Sequence, residues 1–566
     1  MIDVVKSTNR DEALGGDQKS EVDSSLVPGL VPGDYAFAGA TGLCFFLLTF
    51  LWFALDHHVP MMDEAGHVLH GLYFRDLFEH ASVLKGSWWH SMLTVSQFYP
   101  PVVPLVTGFL KAVVVSSPFV DIFVHSAFTF VLASSVVLTG RLMGLTLRAS
   151  VLAAIFVNLF PGVSSVNHQF MLDFPATAAV GAGMLAMLLW RARPGFRSAL
   201  VAGLVLGVCC MTKQIVAAFL MGTGILLVIE ALFSSSREKR AGLLRQLGAL
   251  VVSTVVVGLP WVITNASYSK SITDYMTTCF REAGTTFGFA HNLFFYVGCF
   301  VPSMTPFLVT LFVASLIYML VTPGGRRIQV KLLPVTAMAV TGVVLMSTYL
   351  CSLERYIMPA LIYAAFCLGV CFDSLMSRRM LMAVVLLMVA GLQFVSYNFS
   401  PSPLNFPVLA ELSGRMGVKT MAPTCKNGSK DNPVPASTDW GYAWVTGEIE
   451  RVDRSRPVYL NVLVNEPELN AQSFELYFRE RRLPIIGTTS RIWAVSGDIV
   501  EFDQEKALYY QWYLFKTANT PFGFKDRNSK EAFEKLSSFV KDSGRFYLAG
   551  SHPTPDGAAI ELYRQK

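Results

Sequence analysis

Eleven apolar segments, each near the length that crosses a bilayer, fill the stretch from residue 34 to residue 397 and constrain the fold more than anything else in the chain. They fall at about 34–55, 119–140, 149–165, 174–190, 198–212, 215–233, 247–265, 302–322, 332–350, 356–376 and 379–397. A helix needs about 20 residues to span a hydrocarbon core, where only helices and closed barrels satisfy their backbone groups. A polytopic α-helical membrane protein with about 11–13 spans is therefore expected. A further apolar stretch, 101–118, is interrupted by three prolines and Lys111 and reads as a re-entrant or interfacial helix. Only 15% of residues are charged while 53% are hydrophobic, which agrees with a membrane chain and not with a soluble one. The net charge of +5 is modest and points to no nucleic-acid partner.

The polar connections orient these spans. "RLMGLTLR", "RARPGFR", "SSSREKRAGLLRQ", "TPGGRRIQVK" and "SLMSRR" each carry two or more Arg or Lys and alternate with loops poor in them. Basic loops stay in the cytoplasm. With eleven spans and residues 1–33 as a disordered cytoplasmic tail, every basic loop lands inside and everything after residue 397 lands outside. The first extracytoplasmic loop is then 57–118, with amphipathic or re-entrant helices. A Pro/Ser/Asn-rich linker follows at 398–436, and an extracytoplasmic domain at 437–566. In that domain "RPVYLNVLV", "LPIIGTT" and "RIWAVSG" read as strands. "NAQSFELYFRERR" and "SKEAFEKLSSFVKDSG" read as helices, and "RFYLAG" with "AAIELYRQ" as a final strand pair. The alternation gives a small α/β domain. Of nine cysteines, only Cys279 and Cys425 lie in polar stretches, which leaves at most one disulfide and no zinc-type spacing.

The same accounting brings scattered charges to one membrane face: Asp63, Glu64, Asp173, Lys213, Glu354 and Arg355, with Arg281 and Glu282 in the polar stretch 267–284, read as a loop. Ionisable groups at a bilayer must pair or line a wet cavity, so they mark function by default. Each also has a plainer account. Asp63 and Glu64 suit the first turn of a helix, and Asp173 with Pro175 suits another helix start. Lys213 can snorkel at a turn, and Arg355 beside Glu354 can anchor at the interface. Against these stands a catalytic set: Asp63 as a general base, Asp173 as a second carboxylate, and Lys213 and Arg355 as phosphate ligands. Glu64, His67 and His70 recur at i, i+3, i+6, which offers one half of a Glu-x-x-His metal motif, so a divalent metal is an open possibility. His67, Tyr99, His168 and Glu354 are expected to line the cavity.

The order of motifs resembles a known family. An acidic pair after the first span is followed by "FYPPVVPLV", "MLDFPATAAV", "MTK", "GLPWV" and "ERYIMPAL". Together these are similar to the GT-C membrane glycosyltransferases, nearest to bacterial relatives of protein O-mannosyltransferases and lipid A aminoarabinose transferases. The resemblance covers roughly residues 34–397. It implies a donor sugar on a polyprenyl phosphate, an extracytoplasmic site in a bacterial inner membrane, and a lipid, glycan or protein acceptor. It makes Asp63 the base and gives Glu64 and Asp173 the acceptor, or a cation where relatives use one. Lys213, Arg355 and Arg281 fall to the departing phosphate. Relatives often place Lys or His directly before the Pro-Pro pair, where this chain has Tyr99, so that cationic contact is not expected here. The competing function is a transporter or a flippase for lipid-linked sugars, which would show internal repeats and charges at mid-membrane. The 63–173 pattern is not repeated in the second half. A scaffold acting through the C-terminal domain would explain the tail but not the external carboxylates.

Overall fold

The computed structural model describes residues 29–57, 59–233, 236–282, 288–349, 353–399, 439–453, 457–466, 468–488, 502–517 and 527–566. The tail through residue 28, the linker from Ser400, Cys425 and the "RIWAVSG" segment lie outside the described residues.

Seventeen α-helices and one 3-10 helix build the first part among the described residues. They are α1 (Pro32–Leu55), α2 (Asp63–Glu79), α3 (Gly86–Thr94), α4 (Val102–Val113), α5 (Pro118–Leu142), α6 (Leu147–Leu159), α7 (Pro161–Asn167), α8 (Asp173–Ala192) and α9 (Phe196–Cys210). Then come α10 (Ile215–Leu232), α11 (Arg237–Glu282), α12 (Phe289–Gly298), α13 (Phe300–Val321), α14 (Pro323–Lys331), α15 (Leu333–Ser347), a 3-10 helix at Glu354–Ala360, α16 (Leu361–Arg378) and α17 (Met380–Phe399). Prolines at the first turns of α1, α5, α7, α14 and α15 start helices where no N–H is needed. Ser117 and Thr146 cap α5 and α6 through their hydroxyls.

Among the described residues eight helices are long and apolar enough to cross a membrane, and two bent pairs, α6–α7 (64°) and α14–α15 (68°), bring the number to as many as ten. The shorter apolar helix α9 covers most of the segment expected at 198–212. The chain is thus a multi-pass membrane protein. Helix α4 has 12 residues, about 18 Å, too short to cross. One expectation is overturned: the polar stretch from Tyr268 to Glu282 is no loop but the end of α11, a 46-residue helix. Its Ser and Thr residues carry no helix-stopping Gly or Pro before Gly284.

Helices α2 and α4 pack so closely that a Cβ on Gly108 would lie 2.4 Å from Phe74 Cβ and 2.6 Å from the Gly71 carbonyl oxygen. Replacing Gly108 by Ala is expected to force these helices apart at a cost of about 1–3 kcal/mol. A lowered melting temperature of the detergent-solubilised protein is the check.

The C-terminal domain carries α18 (Tyr442–Val452), β1 (Val458–Val462), α19 (Ala471–Glu480), β2 (Ile485–Thr488), α20 (Gln504–Ala507), β3 (Trp512–Lys516), α21 (Arg527–Asp542), β4 (Phe546–Pro553) and β5 (Ala559–Gln565). The sheet order is β2-β1-β3-β5-β4, with β1 parallel to β2 and β3, and β5 antiparallel to β3 and β4. It is a small α/β domain, as its alternating pattern suggests. The central strand β3 escapes that pattern: all five of its residues are buried, so "WYLFK" shows no alternation.

Helix α19 docks the domain onto α2. Leu476 enters a cluster with Ala65, Val68, Leu69 and Leu72. Around it Tyr73 donates to Glu475 Oε1 (2.9 Å), Arg479 pairs with Asp76 (3.4 Å), and Arg482 with Glu79 (3.0 Å). At the other end of the bundle the basic loops gather: Arg141 pairs with Asp34 at 2.7 Å, Arg148 with Asp373, and Lys331 donates to the Gly144 carbonyl.

Candidate active site

Four polypeptide segments bring charge together where α2 begins. Asp63 is the first residue of α2, and its side chain is 52% exposed. Met62 before it holds φ 39°, ψ −114°, a conformation a non-glycine residue rarely adopts and which costs about 1–3 kcal/mol. Arg355, from the start of the 3-10 helix, reaches Asp63 Oδ2 at 3.7 Å through Nη2 and Asp173 Oδ2 at 3.2 Å through Nε. Lys213, in the turn between α9 and α10, places Nζ 2.6 Å from Asp173 Oδ1.

Asp173 is fully enclosed, at 0% exposure, and Lys213 and Arg355 are buried beside it. Burying one carboxylate with two cations is tolerable because each charge finds a partner, and the group keeps one net positive charge. The simpler accounts of Asp173 as a side-chain cap and of Lys213 as a snorkelling anchor give way. Asp173 makes no side-chain cap on α8. Lys213 does not snorkel, since its ammonium points inward to Asp173. For Asp63 and Glu64 the plainer account holds as well, since both lie in the first turn of α2, where negative charge favours the helix dipole.

An aromatic wall surrounds the cations. The Lys213 ammonium lies 5.6 Å from the Tyr99 ring centre and 5.0 Å from that of Tyr356. The position before Pro100 therefore holds an aromatic ring against which a cation from elsewhere in the chain rests. The segment bearing Tyr99 is fastened on both sides: Val102 N donates to the Met211 carbonyl (3.1 Å), and Trp261 Nε1 to the Ser96 carbonyl (2.8 Å). Burial and the nearby Asp63 and Asp173 carboxylates push the Tyr99 phenol up, so it stays protonated and able to donate.

His67 meets Tyr99 edge to face at 5.2 Å. Burial, then the charges of His70 and Lys213, push its imidazole from 6.5 down to about 3. A histidine whose folded pKa lies below its unfolded value binds its proton first in the unfolded chain. Its contribution therefore falls as pH drops from about 6.5 toward 3. The melting-temperature difference between wild type and His67→Gln is expected to shrink as pH falls from about 7.5 to 4.5. A flat difference would contradict this.

The remaining expected residues are placed less centrally. Glu354 is exposed beside Arg355. Glu64 is buried one residue beyond Asp63. His168 stacks flat on Trp52, 3.9 Å between ring centres, and belongs to the aromatic packing of the bundle. Arg281 falls within α11, and its side chain lies outside the described residues. Among the described residues no three His, Cys, Asp or Glu side chains converge as a metal site. Glu64, His67 and His70 do not form one, because the His67 ring turns to Tyr99 and the His70 ring to Tyr73. The Asp173 oxygens already face two cations. The donor set does not fit a metal ion, and none enters the chemistry below. Sequence reasoning missed Tyr356, which carries no signal beyond standing next to Arg355.

No protein-family model matches the sequence, and no curated protein matches it significantly. Solved structures do. ArnT from Cupriavidus metallidurans bound to undecaprenyl phosphate superposes with a TM-score of 0.55 at 12% identity, over 94% of this chain and 98% of that one. The apo state of the same protein gives 0.54 at 13% identity, over 92% and 97%. The likeness runs through the membrane bundle and the C-terminal domain together. The chain has the fold of ArnT over nearly its whole length.

Proposed function

We propose that the chain is an inverting glycosyltransferase that moves a sugar from a polyprenyl-phosphate donor to an acceptor hydroxyl on the extracytoplasmic face of a bacterial inner membrane. One observation carries this: an exposed carboxylate, Asp63, stands at the edge of two buried cations that share one buried carboxylate. The basic loops at the far end of the bundle support the assignment of the face. The fold is that of a protein whose structure holds undecaprenyl phosphate.

In this scheme Asp63 accepts the proton of the acceptor hydroxyl as its oxygen attacks the anomeric carbon. The bond from that carbon to the phosphate oxygen breaks, its electrons pass to the phosphate, and the configuration inverts. Lys213 and Arg355 stabilise the charge growing on the phosphate, and the Tyr99 hydroxyl donates to it. Asp173 touches no reacting atom and is a positioning residue that aims the two cations. Its enclosure argues against the acceptor contact expected from the sequence.

The test is mass spectrometry of polyprenyl-phosphate sugars extracted from wild-type and deletion strains of the host. One lipid-linked sugar is expected to accumulate in the deletion strain, and its mass identifies the donor. Accumulation on the cytoplasmic leaflet only would instead indicate a flippase. Separately, Lys213→Ala is expected to weaken binding of undecaprenyl phosphate to the purified protein about 10- to 100-fold, the loss of one charge-assisted contact. Unchanged affinity would remove Lys213 from the phosphate site.

A further inference from the structure

The C-terminal domain contributes a side chain to the mouth of this site. The Ser473 hydroxyl donates to the Pro60 carbonyl oxygen at 2.9 Å, fastening the segment that leads through strained Met62 into Asp63. Val59 packs against the apolar core of the same domain. Next to Ser473, in the first turn of α19, Gln472 is exposed. Its amide lies beside Gly66: the Nε2 and Oε1 atoms are 3.5 and 3.6 Å from the point a Cβ there would occupy. Gly66 follows Asp63 by three residues on α2, so the two share a helical face one turn apart. The Gln472 amide thus lies against α2 one helical turn beyond the exposed Asp63 carboxylate.

Three other polar side chains of α19, Ser473, Glu475 and Arg479, are already engaged. Glu475 takes the Tyr73 hydroxyl and Arg479, and Arg479 also pairs with Asp76. Asn470 caps the helix through Ser473 N. Gln472 differs, since among the described residues its amide has no hydrogen-bond partner. An amide offers two donors and one acceptor, which suits a molecule carrying neighbouring hydroxyl groups.

We propose that Gln472 is a specificity-determining residue that grips the acceptor through hydroxyl groups next to the one Asp63 deprotonates. The inference rests on the glycosyltransferase assignment, and its chemical class of acceptor is a polyhydroxylated one. Donor binding is untouched, because the cations belong to other segments.

The experiment uses purified full-length protein and two probes: undecaprenyl phosphate, and detergent extracts of deletion-strain membranes, which carry donor and untransferred acceptor. The extract is separated by chromatography into a donor fraction, which is held fixed, and an acceptor fraction, which is raised, and consumption of the lipid-linked sugar is followed. Gln472→Ala is expected to raise the half-saturating acceptor amount about three- to tenfold, the loss of one or two neutral hydrogen bonds. Its maximal rate, its melting temperature and its affinity for undecaprenyl phosphate should stay at wild-type values. Gln472→Asn, one methylene shorter, should fall between. If half-saturation is unchanged in Gln472→Ala while Asp63→Asn is inactive, Gln472 has no acceptor role and the inference fails. If the maximal rate and melting temperature fall with half-saturation unchanged, Gln472 serves only to dock the domain. If Asp63→Asn is fully active, the underlying assignment itself is wrong.

Discussion

Asp63→Asn is expected to leave the protein folded in the membrane and to lower sugar transfer by about 10²- to 10⁴-fold, the usual contribution of a positioned general base. The substitution keeps shape and position at the first residue of α2 and removes only the capacity to take a proton. Because the Asp63 side chain is half exposed and its one ion pair, to Arg355, is 3.7 Å long, little stability hangs on its charge. The strained Met62 and the fastening of Pro60 remain, so the asparagine stands where the carboxylate stood. Full-length variant expressed at wild-type level in the deletion strain should leave the lipid-linked sugar at the deletion-strain level. Its affinity for undecaprenyl phosphate should stay within about twofold of wild type, since Lys213 and Arg355 are untouched. Complementation by Asp63→Asn would remove the base from the scheme and move a transporter to first place.

The parts of this molecule visible in its sequence are those where local chemistry breaks with its surroundings. Asp63, Asp173, Lys213 and Arg355 stand out because each is a charge beside an apolar run. Topology alone placed them at one face, and the ion pairs among them are consistent with that. What charge and topology could not show is depth. Asp173 and Asp63 look alike in sequence, yet one has no exposure and two cationic partners while the other opens to solvent. Burial of that kind is decided by how α8, the Lys213 turn and the 3-10 helix pack, which no local pattern encodes. Contacts across long separations were equally hidden. Tyr73 and Glu475 are 402 residues apart, and the docking of α19 on α2 has no signature beyond two amphipathic helices. The polar end of α11 misled for the opposite reason. Ser, Thr and Asp suggested a loop, but a helix continues through such residues when nothing stops it.

The burial of Asp173 carries the second large expected effect. If its task is to hold Lys213 and Arg355 for a phosphate, its removal must leave two enclosed cations short of the buried carboxylate they share. Asp173→Ala is then expected to destabilise the protein by about 3–5 kcal/mol, the typical consequence of deleting one partner from a buried ion pair. Asp173→Asn is the more informative variant. The asparagine oxygen can still accept from Lys213 Nζ, so the geometry persists while the negative charge is gone. The ligand-free variant should melt lower than wild type because Lys213 and Arg355 repel each other unscreened. Undecaprenyl phosphate brings the missing charge, so it should raise the melting temperature of Asp173→Asn by more than that of wild type. Transfer should still fall, because a phosphate held by unneutralised cations leaves slowly as product. An acceptor-binding Asp173 would behave otherwise: wild-type melting, an equal response to undecaprenyl phosphate, and a defect only in acceptor saturation. The two roles thus separate in a single melting experiment. The 0% exposure of Asp173 and its 2.6 Å and 3.2 Å contacts favour the tether.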